Sequence, residues 1–243
     1  EYLAVARPLS AKVAASLLSL CDGAVDAADW ETLAYFQGML DKHIDLVDRR
    51  LVHGQSIPAS EKVYSLFEPH TEWIAKGKLH PAVELGHRLL VATDQHQLIQ
   101  DSAGPAGVDV NQSVPVADRL LGRFGEGQIA SLSFDKGFTR AADRELLALY
   151  IPQVIMPKRG KKTEAEAAVE STKKFEALRR AHSAVESAIN SLEHHGLNRC
   201  RDAGLDGYTR YVGYGVLAYN LHVIGRQLMA RRRAAAESVA LAA

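Results

Sequence analysis

Residues 116–158 alternate between two hydrophobic periods, and this alternation constrains the fold more than any other feature. "VADRLLGRFG" and "RAADRELLALY" carry helical spacing, while "IASLSFD" and "QVIMPK" are short apolar runs of strand length. With a strand before them they give strand–helix–strand–helix–strand, the order of an α/β sheet. Upstream, "KVYSLFEP" stopped by Pro69, then "AVELGHRLLVAT" and "QLIQDSAG" with "DQH" as their turn, predict the strands of a meander or hairpin. Residues 159–170 are charged and aperiodic and read as a loop. A long helix is expected over 171–194 and a last one over 208–232.

Residues 1–54 are helical in pattern. Trp30, Leu33, Leu40, Ile44, Val47 and Leu51 recur at helical spacings and form one apolar stripe. Asp26 or Asp29 can cap its start, and Gly54 and Pro58 end it. A shorter helix carries Val13, Leu17 and Leu20, so a hairpin around Gly23 is expected. The resulting division is a helical segment over 1–56, a core over 57–235 and a tail over 236–243.

Formal charge is balanced, so the total points to neither nucleic acid nor membrane. The distribution is more informative. Lys158, Arg159, Lys161 and Lys162 form one basic cluster; Lys173, Lys174, Arg179 and Arg180 a second; Arg231, Arg232 and Arg233 a third. Each is either a solvated surface or a phosphate contact. Two distant cysteines, Cys21 and Cys200, fit a reducing compartment better than a disulfide framework. No apolar run approaches the ~20 residues that span a bilayer.

Asp135 ends the strand "SLSFD", and ligands collect outside the carboxyl ends of strands in open α/β sheets. A carboxylate there suits a metal, or else it caps the following turn or pairs with Lys136 or Arg140. Glu186 borders the apolar stripe Val185, Ile189 and Leu192 on a predicted helix, with His182 one turn earlier on the same face. A strand-end Asp and a helix-borne Glu are the residue types that hold divalent cations for phosphoryl transfer. Such sites usually add a third carboxylate from an early strand.

The segments "EKVYSLFEPHTEWIAKGK", "SFDKGF", "HSAVESAINSLEHHGLNRC" and "DGYTRYVGYGVLAYNLHVIG" together resemble the C-terminal half of bacterial insertion-sequence transposases of the DDE class, ISNCY type. The resemblance covers nearly all of the chain. It implies an α/β, ribonuclease-H-like mixed sheet with flanking helices, preceded by an α-helical segment and lacking the first strand of the fold. It implies DNA cleavage and strand transfer with Mg²⁺ or Mn²⁺, Asp135 and Glu186 as metal ligands, and His182 as an orienting residue. His182 stands where many relatives carry an arginine, and Glu193 where many carry a lysine. The first catalytic aspartate of the class would lie on a strand upstream of this chain, so a truncated and inactive transposase is the expectation. Double-stranded DNA at element ends and target, a homodimer, and a bacterial cytoplasmic, nucleoid-associated setting follow from the same resemblance. Lys76, Lys78, Lys136, Lys158, Arg159, Lys161 and Lys162 are the expected DNA contacts. A non-catalytic DNA- or partner-binding remnant is the alternative.

Three weaker signals are set aside. "RGKKTEAE" lacks the first glycine of a phosphate loop, that position being Ile155. His194, His195 and Cys200 fit no zinc spacing. Tyr208, Tyr211 and Tyr214 could stack on bases, or serve as packing surface.

Overall fold

A computed structural model describes residues 1–20, 26–75, 79–80, 82–104 and 111–242. The chain forms two compact units, Glu1–Gly86 and His87–Ala243. It is mixed α/β, as the alternating periods predict.

In the first unit, α1 (Tyr2–Ser19) and α2 (Ala27–Val47) lie against each other. Ala6, Ser10 and Leu17 of α1 are buried, and so is Ile44 of α2. The seam between them is partly polar. Ser10 Oγ donates to the Asp41 carboxylate, and Gln37 Nε2 donates to Ser10 Oγ at 2.8 Å. Tyr2 meets His43 at 2.7 Å, so contacts 2/43 and 10/37 run antiparallel. Asp26 caps α2, accepting from Ala28 N and Asp29 N at 2.7 and 3.0 Å. The turn expected around Gly23 lies outside the described residues. Beyond Val47 the helix widens into a π turn, Asp48–Val52, before Gly54 at φ 66°.

"KVYSLFEP" is not a strand. Ser65 Oγ accepts from Glu68 N, and the Glu68 carbonyl accepts from Thr71 N and Thr71 Oγ1. These local bonds fold the backbone into turns that compete with a ladder. The first strand is instead β1 (Glu72–Ala75), antiparallel to β2 (Val83–Gly86).

The second unit begins with a hairpin of β3 (Leu90–Thr93) and β4 (Ile99–Ala103). "AVELGHRLLVAT" is thus two strands in two different sheets, β2 and β3. Asp94 Oδ1 accepts from His96 N and Leu98 N, and Gln97 takes φ 65°, which closes the "DQH" turn. Helix α3 (Ser113–Phe124) stops at Gly125, whose φ of 87° favours glycine. Then β5 (Ser131–Ser133) and β6 (Gln153–Ile155) pair in parallel, with α4 (Ala141–Leu147) between them.

Residues 159–170 are not all loop. Thr163 and Glu166 form a reciprocal capping box that starts α5 (Glu164–Glu170). The single helix expected over 171–194 is divided into α6 (Lys173–Ala181) and α7 (Ser183–Leu192), which meet at His182. The last helix, α8 (Gly204–Ala242), is longer than its apolar segment indicates.

One buried cluster unites Ile99, Ala188, Leu192, Tyr219 and Val223, joining β4, α7 and α8. A second unites Ala117, Phe134, Leu147, Ile151 and Met156, around the β5–β6 pair. Helix α3 bridges them. Its apolar face enters the second cluster, while Arg119 clasps the buried Asp101 of β4 with Nη2 at 2.7 Å and Nε at 3.1 Å, and Arg123 donates to the Gln100 carbonyl.

The expected continuous mixed sheet is replaced, among the described residues, by three two-stranded sheets. One edge is closed by a side chain. Asn220 of α8 donates to the Ile99 carbonyl at 2.9 Å and accepts from Ile99 N at 2.8 Å. It stands where another strand would pair.

Candidate functional site at the strand ends

Strands β5 and β6 are parallel neighbours, so their carboxyl ends lie on the same side. Phe134 N donates to the Ile155 carbonyl at 2.9 Å and carries the pairing one residue past β5. Asp135 follows at once, exposed beside the buried Phe134. Across the gap, Met156 and Pro157 are buried and lead into Lys158 and Arg159. Thr139 Oγ1 donates to the Pro157 carbonyl at 2.7 Å and ties the Asp135 turn to the start of the basic segment. A carboxylate and a cationic segment therefore share one strand-end edge, although 23 positions separate Asp135 from Lys158 in the sequence.

Asp135 caps the short 3₁₀ turn Lys136–Phe138, its Oδ1 accepting from Lys136 N at 2.7 Å. It makes no ion pair with Arg140, which bonds Asp143 at 2.8 Å. Asp143 is 6% exposed and also accepts from Ser113 Oγ at 2.6 Å. Burial pushes its carboxyl up, but Arg140 and Ser113 outweigh burial and hold it below the ordinary aspartate range. This pair anchors the start of α4.

The basic segment is only partly available. Lys158 Nζ pairs with Glu166 at 2.7 Å, Lys162 Nζ pairs with Glu170 at 2.7 Å, and Lys158 N donates to Glu170 Oε1 at 2.9 Å. Glu166 is drawn down to about 2, chiefly by Lys158 and then by Thr163 N. For Glu170, burial works upward, and the bonds from Lys162 and Lys158 N carry it below its ordinary range. Arg159, Lys161 and Lys136 are exposed and pair with no carboxylate among the described residues. The capping-box spacing Thr163–Glu166 was the sequence signal for this ordered segment. Lys76 and Lys78 lie outside the described residues. Their neighbour Trp73 sits in β1, opposite Leu85, with Tyr64 against its ring.

Glu186 is exposed in the first turn of α7 and makes no hydrogen bond or ion pair among the described residues. The buried residues of α7, Ala188 and Leu192, belong to the cluster with β4 and α8, whereas Asp135 borders the other cluster. His182 is half-buried at the α6–α7 junction, and its Nδ1 is buried with no hydrogen-bond partner among the described residues. Glu193 opens the turn after α7. Among the described residues no group of three or more His, Cys, Asp or Glu is placed to hold a metal ion.

Of the three tyrosines, two have structural bonds. Tyr208 donates to the Arg88 carbonyl at 3.0 Å and Tyr211 to the Gly196 carbonyl at 3.0 Å, while Tyr214 is exposed. His195 faces His222, with ring centroids 6.3 Å apart. A groove of about 500 Å³ lies between α4, β6 and α6, lined by Arg144, Pro152, Val154, Lys174 and Phe175, and includes none of Asp135, His182 or Glu186. The strand-end residues and the groove are separate features. No helix among the described residues is long and apolar enough to cross a membrane.

No family model, curated protein or solved structure matches the chain.

Proposed function

We propose that the chain acts on DNA as part of a transposase of the DDE class, with Asp135 and Glu186 as carboxylate ligands for Mg²⁺ or Mn²⁺. The observation that carries this reading is the shared edge at the ends of β5 and β6, where exposed Asp135 neighbours the segment of Lys158 and Arg159. In open α/β sheets, ligands gather outside the carboxyl ends of the strands. The order of a hairpin, a helix and then a parallel pair joined by a helix is what supports a ribonuclease-H-like core.

Each of Asp135 and Glu186 by itself offers the oxygen donors that a hard cation takes. Both residues offer carboxylate oxygens, Asp135 spends one on a backbone N–H, and Glu186 spends none. Mg²⁺ commonly takes one or two protein carboxylates and completes its shell with water and substrate phosphate. When bound, it would supply Lewis-acid stabilisation of charge on a phosphoryl oxygen. The chain's own residues do the rest. Asp135 has a second oxygen with no hydrogen bond among the described residues, Glu186 is exposed on α7, His182 lies one turn before it at the α6–α7 junction, and Arg159, Lys161 and Lys136 would take backbone phosphates.

One observation favours a second reading, a DNA-binding module without chemistry: Asp135 already works as a turn cap. Titration with Mn²⁺ followed by nicking of supercoiled DNA separates the two. Transposase chemistry requires Mn²⁺ binding that Asp135→Asn and Glu186→Gln both remove and, in a protein completed with the first aspartate of the class, nicking that the same two changes abolish. DNA binding that needs no metal and ignores Asp135→Asn would favour the module and sink the catalytic assignment.

A further inference from the structure

We infer that the outward face of α8 is a self-association seam on which α8 of a second copy of this chain docks antiparallel. The inference is independent of any action on DNA. The inner face of α8 is occupied by its own unit: Val212, Tyr219 and Val223 are buried, Asn220 is bonded to Ile99, and Gln227 Nε2 is bonded to the His96 carbonyl. Roughly opposite, Tyr214, Leu217, Leu221, Ile224 and Leu228 follow one another at spacings of three, four, three and four. That is the a/d repeat of a coiled-coil seam, and it is a pattern an exposed surface helix has no reason to keep.

All five residues are exposed, between 41% for Ile224 and 71% for Tyr214. Gly213, Ala218 and Gly225 flank the stripe, and a Cβ added at Gly213 or Gly225 would meet nothing within 4 Å. Small flanking residues let a second helix approach closely. The helix is already held by its core, so docking does not have to repay helix formation.

The next position of the repeat after Leu228 is Arg231, followed by Arg232 and Arg233. Charge decides the direction. A parallel pair would set these arginines beside their copies. An antiparallel pair moves the two clusters to opposite ends, about 25 Å apart at ~1.5 Å per residue, well beyond a Debye length of about 8 Å. One antiparallel register covers the whole stripe. Leu221 of one copy faces Ile224 of the other, Leu217 faces Leu228, and Tyr214 faces Arg231. The end layers then place a guanidinium on an aromatic ring, a favourable pairing rather than a buried charge. Shifting by one heptad leaves Leu228 over Arg210. The seam is short beside a standard interface of about 800 Å² per partner, so a dimer dissociating in the micromolar range is expected.

Sedimentation velocity on the full chain, from low micromolar to the highest soluble concentration, tests the seam. The mean mass should rise toward twice the monomer. Leu217→Glu with Leu221→Glu should raise the dimer dissociation constant by at least about tenfold. Circular dichroism should be unchanged, because both side chains face solvent. A wild type that stays monomeric, whatever else covers the stripe, overturns the proposal, and so does a variant that dimerises equally well. Direction is read by oxidation in a Cys21→Ser/Cys200→Ser background. Tyr214→Cys should cross-link with Arg231→Cys in a mixture and not with itself, and self-cross-linking of Tyr214→Cys would overturn the antiparallel register.

Discussion

Lys158 Nζ contacts both oxygens of Glu166, at 2.7 and 2.8 Å, across the turn that starts α5. A cation that sequence spacing offers to a phosphate is therefore already engaged by a carboxylate eight residues on. The same turn is closed by the Thr163–Glu166 capping box, so one side chain both neutralises Lys158 and starts the helix.

This arrangement has a pH signature. Glu166 is held at about 2, below its ordinary 4.5, so its contribution to the α5 start is fully present above 4.5 and is lost as pH falls toward 2. The amide shifts of Thr163 and Glu166, followed by NMR on acidification, should move with a midpoint near 2. Glu166→Gln should abolish the transition. A midpoint near 4.5 would refute the pairing.

The unequal engagement of the basic segment predicts unequal effects on DNA. Arg159→Ala and Lys161→Ala should each lower the salt slope of DNA affinity by about 1. Lys158→Ala should leave that slope nearly unchanged and instead weaken α5. Equal effects of all three in a fluorescence-anisotropy salt series would contradict the ion pairs as arranged.

Arg119→Met should destabilise the second unit by about 2 kcal/mol, because it strands the buried Asp101 carboxylate without its two-pronged partner. The value lies at the modest end because the Arg119 side chain is itself 40% exposed and screened by water. Arg119→Met with Asp101→Leu should recover much of the loss, since no charge is then left buried. Urea midpoints of the three proteins check both statements.

Gly104 and Gly122 should respond oppositely to alanine. A Cβ at Gly104 would lie 2.7 Å from His87 Nε2 and 2.9 Å from Tyr208 Cε1. Those rings are in edge contact at 4.8 Å, and Tyr208 is tethered to the Arg88 carbonyl, so neither yields easily. Gly104→Ala should cost about 1–3 kcal/mol. Gly122 sits in α3 with open space around it, and Gly122→Ala should stabilise by about 0.5–1 kcal/mol through helix propensity. Thermal melts of the two variants should shift in opposite directions.

Much of the fold was legible along the chain. The three-and-four spacing through Trp30 and Ile44 gives α2, the Asp26 cap gives its start, "DQH" gives the β3–β4 turn, and the alternation from Val116 to Lys158 gives α3, β5, α4 and β6 in order. Each of these rests on residues within a turn or two of one another, where periodicity and capping chemistry act directly. The start of α5 was equally local, in Thr163 and Glu166, but the density of charge there masked it.

Only the tertiary structure decided the rest. That Asp135 and Lys158 share an edge depends on β5 pairing with β6. That Lys158 and Lys162 are spent depends on which face of α5 turns toward them. Sequence by itself determined the elements whose periodicity and caps are local, such as α2 and the β3–β4 turn; packing determined which apolar faces are buried and which charged groups meet, because a Coulombic partner is chosen by distance in space and the chain's local chemistry carries no record of that distance.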